Sequence, residues 1–248
     1  MKKKWVSFFQ FLAVFFLTFF SNDVHAKDAD LGGEFDQGVG REPLFVSLGS
    51  YCITANMHRE CGIRKAAFPF DWIVSFDGEK LIELLEEDFL YFLNEDYLKV
   101  QGGSLLNTHY HLEFLNEGDW EAAGRNIKDF LPKCKRRIDR FRKLANYEGE
   151  VFFVRTANLH SFTDSNRIWK IKENIEITRE YGERLYAALK QYFPKLNFNL
   201  VIVNQYDRPG FEMEGEFSDS LMMARVNPDP ASYKDFYSQL FLSKLHRK

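Results

Sequence analysis

The sequence predicts an α/β fold: a mostly parallel sheet with helices on both faces and a helical insertion. Three short apolar runs indicate buried strands, and each run is followed along the chain by a helical pattern. Strands without polar alternation are typical of parallel sheets that are covered on both faces. An α+β, papain-like arrangement is the alternative. The three runs are residues 44–48, 151–154 and 200–203.

Helix boundaries are predicted from capping residues and apolar spacing. Residues 51–60 indicate the first helix, and Asp77 can cap a second one whose apolar side chains recur as far as Phe92. Asp229-Pro230 is a typical start for the last helix. Pro132 is expected at the first position of another helix.

The remaining segments complete the predicted architecture. A long helix is expected from Ile171 to Tyr192, before Pro194. Residues 62–130 are expected to be helical and irregular, apart from a half-buried strand over residues 109–114, and to form the insertion.

The first 26 residues are predicted to be a secretory signal peptide. Three lysines precede sixteen uncharged residues, and Val24-His25-Ala26 fits the pattern that signal peptidase accepts. The uncharged run is shorter than the ~20 apolar residues of a membrane span, which favours cleavage over an uncleaved anchor. We therefore expect export to the periplasm or the extracellular space, with membrane contact only during export. A flexible leader over residues 27–43 and a single domain over residues 44–248 would follow.

The charge of the exported chain limits its partners. Cleavage removes three lysines and one aspartate, so the formal net charge changes from −3 to −5. Nucleic-acid binding requires a basic face, so no nucleic-acid partner is expected. The expected partner is a polar substrate or a peptide, and no cofactor or metal is predicted.

Three cysteines occur in the chain: Cys52, Cys61 and Cys134. If residues 52–60 form a helix, its rise separates Cys52 from Cys61 by ~13 Å, too far for a disulfide. A disulfide between Cys61 and Cys134 remains open and would leave Cys52 as the free thiol.

Polar side chains follow each of the three predicted strands. Ligands of open parallel sheets bind outside the carboxyl ends of the strands, so these side chains are expected to converge at one edge. The predicted substrate-binding residues are Ser50, Arg155, Asn158, His160 and Asn204.

Cys52 is the candidate nucleophile. It follows a predicted strand and a Gly-Ser turn, and it is expected in the first turn of a helix. The helix dipole and backbone N–H groups at that position favour a thiolate and can bind an oxyanion. The alternative is a small buried apolar residue, which is a common role of free cysteine.

A thiol nucleophile needs a base, usually histidine. His109, His111 and Glu113 are expected on one face of the predicted strand. They could be a base with an orienting carboxylate, a zinc site, or the solvent-facing side of an amphipathic strand. His160 is a competing base, whereas His58 is expected on the wrong face of the helix that carries Cys52.

Asp71 lies in the aromatic segment Phe68-Pro69-Phe70-Asp71-Trp72. A buried carboxylate requires a partner because burying a lone charge is costly. Asp71 is therefore expected to orient a histidine or to pair with Arg64 or Arg155. The alternative is a structural turn in which Asp71 caps a helix.

Several segments, taken in order, resemble a family described as "putative papain-like cysteine peptidase". The resemblance covers about residues 44–242 and implies that Cys52 is the nucleophile. That family has a His-Asp-Phe segment before its basic run. Residues 111–114 fit it with one extra residue, whereas an ungapped alignment places Asn116-Glu117 there. The resembling segments are residues 46–52, 70–73, 134–141, 151–156 and 201–204, followed by the aromatic C-terminal helix.

The sequence thus predicts a cysteine-dependent hydrolase, which the resemblance makes a papain-like peptidase. Cys52 would attack a carbonyl, His111 would move the proton, and Asp71 or Glu113 would orient the imidazole. The alternative is a non-catalytic domain that binds a glycan or a phosphate at the strand edge. A metal hydrolase using His109, His111 and Glu113 is a third hypothesis.

Overall fold

The computed structural model describes residues 42–75, 77–114, 120, 126–157, 176–205, 207–216 and 219–245. The first half of the described chain contains β1 (Leu44–Ser47), α1 (Ile53–Glu60), β2 (Ile73–Val74), α2 (Gly78–Glu86), β3 (Leu98–Gln101), β4 (Ser104–Asn107), β5 (Leu112–Phe114) and α3 (Ile127–Lys143). The second half contains β6 (Val151–Thr156), α4 (Arg179–Tyr192), β7 (Phe198–Gln205), β8 (Phe211–Glu214), β9 (Leu221–Val226) and α5 (Pro230–Leu245).

The central sheet has five strands in the order β1-β6-β7-β9-β8. The pairs β1/β6, β6/β7 and β7/β9 are parallel, and β8 joins the edge of β9 as an antiparallel strand. This mostly parallel sheet confirms the predicted α/β class. Strands β8 and β9 were not predicted, although residues 221–226 form an apolar run interrupted only by Arg225.

Both faces of the central sheet are buried, as the continuous apolar strands predict. Alternate residues of one strand belong to different cores: Phe153 lies in the larger core, with side chains of α2, α3 and α4, while Phe152 lies in the other. The second core contains Tyr233, Phe236, Tyr237 and Leu240 of α5. Because side chains alternate across a strand, the two cores lie on opposite faces of the sheet.

The insertion differs from the prediction, because it contains a second sheet. Strands β2, β5, β4 and β3 form an antiparallel sheet in that order, alongside α2. Strands β2, β3 and β4 have two to four residues each, so their alternation is too short to stand out in the sequence. β5 begins at Leu112, so the strand predicted from residue 109 starts three residues later than expected.

Capping residues explain most helix starts. Asp77 accepts a hydrogen bond from Lys80 N at 3.3 Å and caps α2 as predicted, and Asp229 Oδ1 accepts from Ala231 N and Ser232 N at the start of α5. α3 is capped earlier than expected, by Asn126, so Pro132 lies inside the helix instead of at its first position. Pro132 is exposed there, so water can reach the carbonyl that the missing N–H leaves free.

The predicted signal peptide and most of the leader lie outside the described residues. The expected helix start at Ile171 lies outside them as well, and α4 runs from Arg179 to Tyr192. Among the helices of the described part, none is long and apolar enough to cross a membrane.

Candidate active site

Cys52 lies where the first parallel strand turns into the first helix. It is the N-terminal boundary residue of α1, and its side chain does not cap the helix. Only 1 % of Cys52 is exposed. Gly49, in the preceding turn, has a φ of +79°, and a Cβ there would lie 2.5 Å from Ser75 Oγ. The turn before Cys52 therefore requires glycine for both its backbone conformation and its packing.

The turn is tied to the end of β6 by side-chain hydroxyls. Thr54 Oγ1 donates to Gly49 O at 3.0 Å and lies 2.8 Å from Thr156 Oγ1. Ser50 Oγ donates to the backbone carbonyl of Thr156. Because these bonds lie in the interior, they fix the loop that carries Cys52 against its neighbour strand. Ser50, predicted to bind substrate, is thus engaged with the protein's own backbone.

Arg155 joins the same turn to the second sheet. Its Nη1 donates to Leu48 O at 2.7 Å and to Ser75 Oγ at 3.2 Å, and its Nη2 donates to Ser75 O. The guanidinium also lies 5.9 Å from the centre of the Tyr181 ring. Arg155 is only 2 % exposed, and these contacts satisfy most of its donors. The predicted substrate-binding arginine therefore holds two backbone segments together.

His111, which directly precedes β5, contacts Asp77, the residue that caps α2. His111 Nδ1 lies 3.0 Å from Asp77 Oδ2, and the two side chains are 36 % and 38 % exposed. His111 precedes β5 with a φ of +53°, a left-handed conformation in which histidine is several-fold enriched. Asp77 uses its other carboxylate oxygen to cap α2. Asp77 therefore contacts both the start of α2 and the imidazole of His111.

The His111–Asp77 pair is linked to the Cys52 turn through the backbone. Ser75 N donates to Ser50 O at 2.8 Å. Cys52 comes two residues after Ser50, and Asp77 comes two residues after Ser75. Two residues span at most ~7 Å of chain, so one hydrogen bond ties the thiol's loop to the carboxylate's loop.

Asp71 is engaged elsewhere, in one of the ways that the sequence left open. It is 2 % exposed and accepts from Arg64 Nη2 at 2.8 Å, from Arg64 Nε at 3.2 Å and from Phe68 N at 3.2 Å. Burial raises the pKa of Asp71, and the Arg64 guanidinium partly offsets that effect. These contacts of Asp71 close the aromatic turn, whereas the carboxylate that contacts His111 belongs to Asp77.

The three residues expected on one strand face have different partners. His109 lies beside Glu83 and Glu87, His111 beside Asp77, and Glu113 accepts from Ser104 Oγ at 2.8 Å. The turn before β5 separates the two histidines, because His111 has a positive φ. The structure therefore does not bring His109, His111 and Glu113 together as one metal-ligand set.

Of the other predicted ligand-binding residues, the structure describes Asn204. Asn204, in β7, accepts from Ile177 N at 2.8 Å and donates to Ile177 O at 3.0 Å, which clamps the segment before α4. Asn158 and His160 lie outside the described residues, so their predicted roles stay predictions.

The remaining histidine in α1 and the other two cysteines are structural. His58 is buried, with its Nε2 3.1 Å from Tyr237 Oη. Burial, helped by the charge of Arg64, lowers the pKa of His58 to about 3. None of Cys52, Cys61 and Cys134 forms a disulfide, so the Cys61–Cys134 bond that the sequence left open is not formed.

A comparison with protein families gives the resemblance an independent basis. Residues 43–107 match the model of the family described as "Putative papain-like cysteine peptidase". The predicted recognition is confirmed. The matched segment contains Cys52, Asp71 and Asp77 and ends before His111, so the family model places a cysteine-peptidase-like segment here without assigning its base.

One relative extends the likeness beyond the matched segment. The chain is 25 % identical over 141 residues to an uncharacterized protein of Acanthamoeba polyphaga mimivirus. The alignment covers 47 % of this chain and 63 % of that relative, so less than two thirds of the relative's length is represented. No solved structure matches the chain significantly.

The contacts around His111 were not foreseen from the sequence. Asp77 was predicted only as a helix cap, and Ser75 and Tyr181 were not singled out. Asp77 and His111 are 34 positions apart, and no spacing rule links residues so distant in the chain. The one available signal was the helix cap itself, because an Asp at that position has a second oxygen free to meet another side chain.

Proposed function

We propose that the protein is a cysteine-dependent hydrolase with Cys52 as the nucleophile, His111 as the base and Asp77 as the carboxylate that orients His111. The observation that carries the proposal is the 3.0 Å contact between His111 Nδ1 and Asp77 Oδ2, tied by the Ser75–Ser50 hydrogen bond to the loop of Cys52. A nucleophile, a base and a group that orients the base are the recurring parts of such sites.

Each group has a definite role in this mechanism. His111 Nε2 takes the proton from the Cys52 thiol, and the sulfur attacks the substrate carbonyl to form a tetrahedral oxyanion. Backbone N–H groups in the first turn of α1 stabilise that oxyanion. The C–X bond breaks as His111 returns the proton to the leaving group, which gives a thioester. Water then attacks the thioester with His111 again as the base, and the thiol and a carboxylic acid are released.

The choice of Asp77 over Asp71 rests on geometry. Asp71 has its carboxylate directed at Arg64, whereas Asp77 faces the imidazole. Fixing Nδ1–H on a carboxylate leaves Nε2 as the atom that accepts a proton. The family match over residues 43–107 supports a peptide or another polar acyl compound as the substrate class.

The test measures Cys52 alone. In a Cys61→Ser/Cys134→Ala background, Cys52 is the sole thiol, and its alkylation by iodoacetamide is followed from pH 5 to pH 10. Because only 1 % of Cys52 is exposed, its alkylation is slowed at every pH, and the informative quantity is the pH at which the rate reaches half its maximum. We expect this midpoint to lie well below ~8.5, the ordinary pKa of a thiol, and to rise when His111→Asn is added. Asparagine is the matched replacement, because it tolerates the positive φ of His111 without providing a base.

Activity completes the test. The background chain is assayed on a panel of peptide, ester and thioester substrates against Cys52→Ala and His111→Asn in the same background. We expect the background chain to hydrolyse at least one substrate, and both variants to lose that activity. The proposal fails if Cys52 titrates like a free thiol and His111→Asn changes neither labelling nor turnover, which would favour the non-catalytic binding domain instead.

We also propose that the chain is exported and that its signal peptide is cleaved between Ala26 and Lys27. The basic residues, the sixteen-residue uncharged run and Val24-His25-Ala26 support this proposal. Expression of the full chain in a host with a general secretion pathway, followed by N-terminal sequencing of the extracytoplasmic fraction, is expected to give Lys27 as the first residue. An intact Met1 on a chain retained inside the cell would contradict it.

A further inference from the structure

We propose a divalent metal site, best suited to zinc, formed by Glu83, Glu87 and His109. The two glutamates are four residues apart at the C-terminal end of α2, and His109 reaches them from the turn before β5. One carboxylate oxygen from each glutamate and one imidazole nitrogen lie within 4.8 Å of one another. The site lies outside the proposed catalytic groups and does not depend on the proposed function.

The distances match those between ligands of a small tetrahedral ion. His109 Nε2 lies 3.2 Å from Glu83 Oε1 and 3.4 Å from Glu87 Oε2. With zinc–ligand bonds of about 2.0–2.2 Å, two ligands of a tetrahedron are separated by roughly 3.3–3.6 Å, which is close to both His109 distances. The two carboxylate oxygens lie within 4.8 Å of each other. One nitrogen and two oxygens would leave a fourth position for water, as in zinc sites with three protein ligands.

The state of His109 Nε2 is a second, independent observation. This atom is shielded from solvent, yet it has no hydrogen-bond partner among the described residues. Both carboxylate oxygens lie within 3.4 Å of it, but neither forms a hydrogen bond with it of acceptable geometry. A metal ion among the three atoms would accept a lone pair from each and would give His109 Nε2 a partner.

The surroundings orient the ligands as metal sites require. Tyr110 Oη donates to Glu87 Oε2 at 2.7 Å, which holds that carboxylate in place. The rings of Tyr91, Tyr97 and Tyr110 lie 4.5, 5.0 and 4.6 Å from the imidazole of His109 and limit its rotation. Outer groups that fix ligand orientation are typical of metal centres and raise their affinity.

Charge favours a cation at the same place. The C-terminal end of α2 carries the negative end of the helix dipole, and its last turn contains no basic residue. Two carboxylates add to that negative charge. Lys80 offsets part of it, because its Nζ donates to Glu83 Oε1 at 2.9 Å and to Oε2 at 2.7 Å. Lys80 therefore competes with the metal for Glu83.

A bound ion would join α2 to the turn that carries His111. Asp77 already contacts His111 at the start of α2, and the metal would add a second link at its end. Ligands from two elements that are distant in sequence make such a site stabilising for the folded state. We therefore expect zinc to raise the unfolding temperature.

The experiment titrates zinc into the full chain after treatment with a chelator, by calorimetry at pH 7.5. One zinc per chain is expected, with affinity lowered at least tenfold in His109→Ala, Glu83→Gln and Glu87→Gln. Glu86→Gln is the matched control, since it removes an exposed carboxylate of the same helix that lies outside the cluster. Lys80→Gln is expected to bind zinc more tightly, because the competing ammonium is gone.

Two further measurements identify the ligand types and show whether a variant that binds less zinc is still folded. Cobalt replaces zinc, and its spectrum is expected to lack the thiolate charge-transfer band, which excludes the three cysteines as ligands. Each variant is first compared with the parent by circular dichroism. The proposal is overturned if the folded parent binds no zinc, if His109→Ala binds it as tightly as Glu86→Gln, or if the thiolate band appears.

Discussion

The imidazole of His111 contacts Asp77 through Nδ1, at 3.0 Å from Oδ2. In the proposed mechanism this carboxylate orients the imidazole, and Nε2 is the nitrogen that exchanges the proton. The same carboxylate caps α2 through Oδ1. One side chain thus starts a helix and orients an imidazole, so the two effects must be separated experimentally.

The substitution Asp77→Asn separates the capping of α2 from the orientation of His111. Asparagine is an equally good helix cap, so the free energy of unfolding should change little. The amide lacks the negative charge that stabilises an imidazolium, and it can hold the ring in the wrong tautomer. We expect kcat/KM of the proposed hydrolase to fall by at least ~100-fold, the contribution typical of a base.

The control is Asp77→Ala, which removes both the cap and the contact with His111. It is expected to match Asp77→Asn in lost activity and to unfold at a lower urea concentration, since losing a cap costs ~1 kcal/mol. Full activity of Asp77→Asn would show that His111 does not need this carboxylate.

Arg155→Met tests the buried guanidinium that joins the Cys52 turn to the second sheet. Methionine keeps the apolar stem, but it leaves the buried carbonyls of Leu48 and Ser75 without the hydrogen bonds that Arg155 donates. Loss of charged hydrogen bonds and burial of unsatisfied acceptors should lower the free energy of unfolding by about 3 kcal/mol, measured by urea denaturation.

The comparison variant is Arg184→Met, which loses an exposed ion pair with Glu79. Exposed pairs contribute little, so its urea midpoint should stay close to that of the parent. Equal destabilisation by the two substitutions would mean that Arg155 is not the link that its contacts indicate.

His58 should make the stability of the protein depend on pH. Its pKa is about 3 in the folded state because of burial, against 6.5 for an ordinary histidine. Between these values the unfolded chain binds more protons, so stability is complete above pH 6.5 and is lost as the pH falls. His58→Gln removes this group while keeping a polar side chain near Tyr237. The stability difference between parent and variant should shrink by about 2 kcal/mol from pH 6.5 to pH 4.5.

The measurement is urea unfolding of both chains at several pH values in that range. Other groups titrate in parent and variant alike, so they cancel in the difference. A difference that stays constant with pH would mean that His58 is protonated in the folded protein.

Cys61 should react slowly although it is only half-buried. Burial raises the pKa of its thiol to about 11, and the charge of Lys234 offsets this only in part. Since the thiolate is the reactive form, alkylation at pH 7.5 should be at least ~100-fold slower than for a free cysteine. Labelling with iodoacetamide, resolved by peptide mass spectrometry, measures it. The denatured chain is the control, in which all three cysteines should label alike, and rapid labelling of folded Cys61 would contradict the prediction.

The general architecture could be predicted because it follows from local patterns. Apolar runs such as Val151–Val154 have no polar face, so they must be covered on both sides, and this indicates a parallel sheet. Asp77 and Asp229 were recognisable as helix caps because capping involves residues two or three positions away. Strands β2, β3 and β4 were missed because elements of two to four residues carry too little periodicity, whereas β5 lies within the strand predicted over residues 109–114.

The sequence by itself determined the α/β class, the helix starts at Asp77 and Asp229, and the position of Cys52 between a strand and a helix. Only the tertiary structure decided which side chains meet: His111 with Asp77, Asp71 with Arg64, and His109 with two glutamates. The physical reason is range. Periodicity and capping act over three or four residues, whereas these side chains are 7 to 34 positions apart and meet only through the folded chain.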